Sequence, residues 1–581
     1  MANFYTDNED IRFLFEHMDV AALAGIVEED FRFGDEFDFA PTDAQDAVDN
    51  YRRILTSLGE IAAEQIAPTA EETDKVGNVL NEDGSVTYAP GIAGAIKVLA
   101  RADLMGFTLP YKYGGINCPQ LIYTMSNEMV SRADAALMNI YGLQGIAETI
   151  NAFASDRIKA EYLPEMASGK LTGAMVLTEP EAGSDLQAVS TQGYQDEHGN
   201  WLVRGVKRFI TNGCGQVLLV LVRTEPEVTD GRGLSLMLVQ RGARVKIRRL
   251  EDKLGIHGSP TCEVFFDDAP AKLIGERQRG LITYVMSLMN GARIGIAAQS
   301  LGIAEAAYRV ARDYAHSRRQ FDTEIENFPA VRELLVNMSV DIQAARALTY
   351  YATFGVDIEN GALRKLEFGD VQDKAQKKEL KQTSRKYKRL NGMLTPMSKY
   401  YASEMSVRVS NDSMAVLGGS GYMKDYPVER HVRDARITTI YEGTSQLQII
   451  AAVRGVVSGS AGAVVDGILD RDWPDDVKVP VEQVRRGVDL LAEAIAFTKE
   501  QPGTEYMDLC GRKLVDMAVA VVVGAIFCDQ ATAKQSKMAV AQRWLAAKLP
   551  EMRMNRELIC SGDRSIISQF ADLAGPVPVV E

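Results

Sequence analysis

The hydrophobic pattern of this chain changes period twice, and that fixes its broad architecture before any single residue is considered. Residues 1 to about 172 carry apolar side chains at three- and four-residue spacing, as in Asn50-Tyr51-Arg52-Arg53-Ile54-Leu55-Thr56-Ser57-Leu58-Gly59-Glu60-Ile61, the signature of amphipathic helix. From 173 to about 280 the runs become short and β-type: Trp201-Leu202-Val203, Val217-Leu218-Leu219-Val220-Leu221-Val222 and Leu234-Ser235-Leu236-Met237-Leu238-Val239. Turn-formers such as Glu197-His198-Gly199-Asn200 and Asp230-Gly231-Arg232-Gly233 separate them. Helical spacing returns near 281, in segments such as Ile294 to His316, and resumes beyond Gly462 at about 481–499 and 506–533. The expectation is an α+β chain in four parts: an N-terminal helical domain over 1–172, a middle antiparallel β-domain over 173–280, a helical bundle of the four-helix kind over 281–455, and an extra helical extension over 456–581.

Composition narrows the function class. A chain of 581 residues is too long for one core. Its net charge of −15 argues against nucleic acid as a partner. The start is acidic (Asp7, Glu9, Asp10), without the basic-then-apolar order of an export signal. The longest suggestive apolar run, Met517 to Cys528, is twelve residues, too short to span a bilayer. Six cysteines form no CxxC pair and five histidines show no ligand spacing, so no metal site or disulfide framework is indicated. Reduced thiols and no export signal point to the cytoplasm.

One segment carries chemistry by itself: Ala435-Arg436-Ile437-Thr438-Thr439-Ile440-Tyr441-Glu442-Gly443-Thr444-Ser445-Gln446-Leu447. Glu442 is a lone carboxylate in an apolar-aromatic run. Such surroundings disfavour its ionised form and make it a better base near neutral pH. Gly443 beside it lets a substrate or cofactor approach the backbone closely. That is the profile of a carboxylate that removes a proton from a carbon acid; a helix terminus with one surface Glu is the plainer alternative.

The stretch Ile440-Tyr441-Glu442-Gly443-Thr444-Ser445-Gln446 resembles the catalytic signature of the acyl-CoA dehydrogenases, in particular the long forms of the very-long-chain and methylthiopropionyl type. So do Leu177-Thr178-Glu179-Pro180-Glu181-Ala182-Gly183-Ser184-Asp185, Lys207-Arg208-Phe209-Ile210-Thr211-Asn212-Gly213, Lys253-Leu254-Gly255-Ile256-His257-Gly258-Ser259 and Arg318-Arg319-Gln320-Phe321, all in the family's order. The resemblance implies FAD, an acyl-CoA substrate and Glu442 as the base that takes the α-proton while the β-hydride goes to flavin N5, giving the trans-2-enoyl-CoA. It also implies that the Glu442 backbone N–H helps grip the thioester carbonyl. A minority of the family places the base just before a CoA-contacting Arg; here that position is Ala292, which cannot accept a proton.

Other roles follow from the resemblance alone. Met175, Leu177 and Thr178 line the isoalloxazine, with Thr178 on the ring edge. Gly183 and Ser184 present a small-residue turn to phosphate or pantetheine oxygens. Phe209 lies against the ring, and Ile210 and Thr211 continue its strand. Arg318, Gln320 and Phe321 reach the FAD of a neighbouring subunit. Gly418 and Gly419 let backbone approach the adenosine half, although a helix cap explains that pair equally well. Thr444 and Gln446 touch FAD. Arg293, Tyr441, Gly443 and Ser184 serve the substrate, Arg293 by contacting the CoA side or ordering the site.

The standard family subunit ends soon after the Glu442 motif, so 456–581 is an extension; chains that carry one tend to be homodimers. An apparent insertion around 355–395 holds Lys374, Lys377, Lys378, Lys381, Arg385, Lys386, Lys388 and Arg389, read as a solvated face or as a contact for CoA phosphates or a membrane. The expected electron acceptor is an electron-transfer flavoprotein. An acyl-CoA oxidase using oxygen, or a non-catalytic flavin-binding homologue, are the alternatives.

Overall fold

The computed structural model describes residues 1–368 and 371–578, and it divides into two compact units. The first comprises Met1–Tyr387 and Ser398–Ser445; the second comprises Lys388–Met397 and Gln446–Glu581.

The first unit begins with α1 (Glu9–His17), α2 (Val20–Val27) and α3 (Ala44–Ile61), each started by a side chain that accepts from first-turn N–H groups: Asn8, Asp19 and Asp43. They pack on α4 (Gln120–Ala133), which is buried along almost its whole length, and on the short α5 (Ala135–Tyr141). After the sheet come α6 (Met286–Ser317), α7 (Pro329–Phe368), α8 (Lys374–Leu417) and α9 (Val428–Thr438). Asp357 of α7 caps α4, accepting from Gln120 N and Leu121 N at 2.9 Å each. Arg346 of α7, 1 % exposed, meets Glu128 of α4 at 2.7 Å, Glu305 of α6 at 2.8 Å and Asp10 of α1 at 2.6 Å. A buried charge pays its desolvation only when so fully paired, and this cluster fixes how four helices meet.

The sheet has seven strands: β1 (Gly173–Val176), β2 (Gln192–Gln195), β3 (Trp201–Thr211), β4 (Val217–Arg223), β5 (Leu234–Gln240), β6 (Val245–Leu250) and β7 (Thr261–Leu273). It is antiparallel apart from the pairings β4 makes with β1 and β2. β1 runs parallel to β4 with Met175 opposite Leu219, because the chain crosses over through 177–216 before returning beside it. The continuous apolar run of β4 is explained by burial on both faces. Val217, Leu219 and Leu221 pack with Ile146, Ile150 and Tyr284, whereas Leu218, Val220 and Val222 pack with Val203, Val264 and Phe266. The N-terminal region also holds a two-residue hairpin, Val79–Leu80 with Val86–Thr87.

The second unit is a bundle of α10 (Ser445–Val457), α11 (Asp475–Glu500), α12 (Glu505–Ala533) and α13 (Gln535–Cys560), with a short helix Ser460–Leu469. Trp544 of α13 donates to Ala520 O of α12 at 3.0 Å and meets Phe527 edge-on. The twelve-residue apolar run thus belongs to a 29-residue helix that is long and apolar enough to cross a bilayer; its most apolar window is 89 % buried inside the protein. The stretch Gly280–Ser317 meets the same length and composition, with 33 % of its window buried. Of the insertion, residues 369–370 lie outside the described residues; its eight basic side chains are exposed along the first turns of α8.

Candidate active site

Glu442 lies in the turn between α9 and α10, in left-handed backbone at φ 54, followed by Gly443 at φ 86. A glutamate there is strained, and the conformation persists because its surroundings hold it. Ile440 N and Tyr441 N both donate to Ile437 O, and Ser445 N closes the turn onto Thr439 O at 3.0 Å. The side chain is half-buried. Burial pushes its carboxyl up to about 7, although the Lys399 ammonium and the Arg293 guanidinium oppose that rise. A carboxylate that titrates near neutrality in dense surroundings is a capable base.

The sequence motifs did not flag Lys399. It is fully buried on α8 and donates from Nζ to Gly443 O at 2.7 Å. Burial pulls its ammonium down to about 7, against the attraction of Glu442. Arg293 on α6 donates to Asn290 Oδ1 at 3.1 Å; burial lowers it and Glu442 raises it. It therefore places a guanidinium charge within electrostatic reach of Glu442. Tyr441 spends its hydroxyl within the protein, on Gln299 of α6 and on Asn139 Oδ1 of α5 at 3.1 Å. Gln299 in turn donates to Asn139 Oδ1 at 2.8 Å, and Asn139 donates to Ser259 Oγ at 3.2 Å. The loop over 253–259 is locked by Lys253 Nζ on Ser259 O at 2.9 Å and by Ile256 N on Asp434 Oδ1 of α9 at 2.6 Å. Tyr441 thereby ties the Glu442 turn to α6, to α5 and, through Asn139, to the 253–259 loop.

A second cluster organises the edge of the sheet. Lys207 on β3, with 0 % side-chain exposure, meets Glu179 at 2.9 Å and donates to Leu177 O at 2.8 Å. Glu179 also accepts from Ser190 N, Ser190 Oγ and Thr191 N. Burial alone would raise this carboxyl, but Lys207 and those donors bring it down to about 2. Arg208 N bonds Thr178 O at 3.0 Å, so Thr178 is held beside Phe209. A register shift between Lys207 and Ile210 turns Phe209 outward at φ 60, where it is 53 % exposed.

The other expected residues fall into three groups. Met175 and Thr211 are half-buried on β1 and β3, whereas the Leu177 and Ile210 side chains are buried in the sheet's cores. Gly183 and Ser184 are exposed in the turn after Thr178. Arg318, Gln320 and Phe321 are exposed at and beyond the end of α6, where Arg319-Gln320 pairs with Thr323-Glu324. Gly418 caps α8 at φ 61, the helix-cap reading, and a methyl added at it or at Gly419 would meet nothing within 4 Å. Thr444 lies two residues after Glu442; Gln446 belongs to the second unit. Thirteen described non-glycine residues have positive φ, and Phe209, Asn212, Ile256, Phe321 and Glu442 among them lie in four of the five motif segments. The motifs are therefore places where the backbone is bent against its preference. Phe209, Phe321 and Tyr422, at 53, 91 and 76 % exposure, leave broad aromatic surface uncovered. Of these, Phe209 lies beside the Thr178 edge of the sheet, and an exposed aromatic face beside a threonine suits a planar, hydrogen-bonding ring such as isoalloxazine.

Comparison with known proteins agrees. Residues 49–170, 174–269 and 294–446 match the N-terminal, middle and C-terminal domains of acyl-CoA dehydrogenase. An acyl-CoA dehydrogenase of Bacillus subtilis (strain 168) is 34 % identical over 409 residues, 69 % of this chain and 96 % of that protein. The chain belongs to the acyl-CoA dehydrogenase family. As a member it is an oxidoreductase acting on acyl-CoA. The 3-methylmercaptopropionyl-CoA dehydrogenase of Ruegeria pomeroyi is 31 % identical over 69 % of each chain. The structure of butyryl-CoA dehydrogenase from Megasphaera elsdenii aligns with TM-score 0.60 at 29 % identity, covering 70 % of this chain and 98 % of that one. An acyl-CoA dehydrogenase from Bacillus anthracis, complexed with FAD, aligns over 92 % of both chains with TM-score 0.74 at 21 % identity, a likeness of fold that takes in the extension.

Proposed function

We propose that this acyl-CoA dehydrogenase converts an acyl-CoA thioester to the trans-2-enoyl-CoA with Glu442 as the base. The observation that carries the reading is Glu442 itself: a strained, densely surrounded carboxyl pushed up to about 7 and faced by two cations. The α-proton of the thioester passes to the Glu442 carboxylate, and the electron pair it leaves is drawn toward the thioester oxygen. Arg293 and Lys399 keep positive charge beside the base through that transfer. FAD is the cofactor and supplies the acceptor for the β-hydride. Lys207 and Glu179 fix the Leu177-Thr178 edge, which with Met175 on β1 and Phe209 and Thr211 on β3 would hold its ring. Arg318, Gln320 and Phe321 serve the FAD of a neighbouring subunit, and Gly418 and Gly419 let backbone approach the adenosine half, so the working form is an oligomer, a homodimer given the C-terminal extension. Electrons then leave to an electron-transfer flavoprotein in the cytoplasm. The shared 3-methylmercaptopropionyl-CoA and butyryl-CoA relatives make small and thioether-bearing acyl groups the first to try.

The test is an anaerobic titration of the visible flavin band of the purified protein with butyryl-, 3-methylmercaptopropionyl-, octanoyl- and palmitoyl-CoA. Bleaching by one of them is expected and names the acyl group. A yellow protein that none of them bleaches, or a colourless one that FAD does not reconstitute, overturns the activity or the cofactor respectively.

A further inference from the structure

Lys399 is an unusual residue to find where it is. Ser398, Tyr400, Ala402 and Ser403 around it on α8 are all buried, and Lys399 itself has no exposed surface. Taking an ammonium out of water is costly, and a lysine is tolerated there only when something uses its charge or its donors. Its hydrogen bond goes to Gly443 O at 2.7 Å, a residue 44 positions away and directly after Glu442. The acceptor is a backbone carbonyl, so this bond supplies no counter-charge. Charged groups face it from three directions: Glu442 in the turn, Arg293 on α6 and Glu404 on its own helix. Glu442 is faced by Lys399 and Arg293, and the Tyr441 phenol adjoins it.

We propose that Lys399 is a positioning residue for the reaction's base: its ammonium, held on the Gly443 carbonyl, fixes the left-handed Glu442–Gly443 turn and keeps a buried positive charge against the Glu442 carboxylate. The proposal rests on Glu442 being the base. Two consequences follow from the geometry. The hydrogen bond ties a strained segment to a rigid helix, so the carboxylate meets the thioester in one orientation. The charge lowers the cost of an ionised Glu442 before proton transfer, and the neutral carboxylic acid that results loses that attraction. Lys399 and Glu442 thus titrate as a coupled pair. At pH values where the ammonium is lost, Glu442 loses its support.

The experiment compares full-length, FAD-loaded wild type with Lys399→Gln, Lys399→Met and Lys399→Arg. Two rates are followed against pH with the acyl-CoA that bleaches the flavin fastest: flavin reduction, and exchange of the substrate α-proton with solvent deuterium. Removing the charge raises the pKa of Glu442, so the acid limb of both profiles moves up by at least about one pH unit in the Gln and Met variants, a tenfold fall on that limb. Gln keeps a donor for Gly443 and Met does not, so Met shows the lower plateau. Arg leaves the limb in place. Folded, yellow Gln and Met variants with uniformly lower rates and an unmoved limb would make Lys399 a structural strut and overturn the proposal. If neither neutral variant folds, an Arg variant whose limb moves as far also overturns it. Glu442→Gln run in parallel separates the two readings: if it stays active the base assignment fails, whereas an inactive Glu442→Gln with an unmoved limb sinks Lys399 alone.

Discussion

The first unit buries two lysines beside two glutamates and treats the pairs in opposite ways. At the sheet edge, Glu179 accepts from Lys207 at 2.9 Å and from three donors of Ser190 and Thr191, and it is held down to about 2. In the helical half, Lys399 gives its hydrogen bond to a backbone carbonyl, and Glu442 is left near 7. Burial raises both carboxyls; at Glu179 the Lys207 charge and the donors of Ser190 and Thr191 overcome it, whereas at Glu442 the charges of Lys399 and Arg293 do not. A carboxylate saturated with hydrogen bonds is a strut, because giving up its charge would break them all. One whose burial outweighs the cations that face it stays near neutrality and can take a proton and return it. The same residue pair therefore builds the wall of the site in one place and its reactive group in the other.

The comparison is tested most severely by removing each carboxylate's charge. Glu442→Gln should keep the fold and the cofactor yet lose roughly 10²–10⁴-fold in turnover, the usual contribution of a positioned base. Steady-state kinetics on the yellow variant check this, and activity above a few per cent moves the base elsewhere. Glu179→Gln should do the reverse. It leaves the Lys207 ammonium buried without its counter-charge, a loss of about 3–5 kcal/mol in unfolding free energy, and the Leu177-Thr178 edge loosens with it. Denaturant unfolding measures the first effect and flavin retention after gel filtration the second. Glu179→Gln as stable as wild type would end the distinction drawn between the pairs.

A double replacement sharpens it. Lys207→Met with Glu179→Leu removes both charges and should recover about 1–3 kcal/mol of what Glu179→Gln loses, since a buried pair costs most when half of it is gone. A double variant no better than the single one would show that the hydrogen bonds to Leu177 O, Ser190 and Thr191, not the charges, carry the stability.

Much of this was readable in the sequence. The periodicity change separates helices from sheet, and the segments around Phe209, Ile256 and Glu442 stand out in the sequence as motifs at positions where the fold holds a left-handed φ. Lys399 was not readable. It stands in the middle of a 44-residue helix, without a strained backbone or a flanking glycine to mark it, and only the fold brings it to Gly443. Likewise Lys207 was visible as part of a motif, but its partner Glu179 sits on another segment. The parallel β1–β4 pairing was hidden for a related reason, since a four-residue strand has no pattern that tells its direction.

Gly443 tests the turn on a smaller scale. At φ 86 an alanine is strained by about 1–2 kcal/mol. Gly443→Ala should lower stability by that amount and slow flavin reduction, because the carbonyl that holds Lys399 shifts with the backbone. Kinetics changed in rate but not in pH profile would separate backbone geometry from charge.

In the pH dependence of stability the two glutamates have opposite signs. Glu179 is lower in the folded protein than its ordinary value of 4.5, so it contributes stability that is present above 4.5 and lost as pH falls through about 2. Glu442 is higher, at about 7, so its contribution is complete below 4.5 and is lost as pH rises through about 7. Between those limits the folded state keeps a proton on Glu442 that the unfolded chain has released. Glu442→Gln should therefore flatten the fall in thermal stability from pH 4.5 to 7 and leave the acid side unchanged, whereas Glu179→Gln should flatten the acid side alone. Melting temperatures taken across both ranges decide it: if the two variants alter the same limb, the glutamates are not held in opposite charge states and the contrast between strut and base fails.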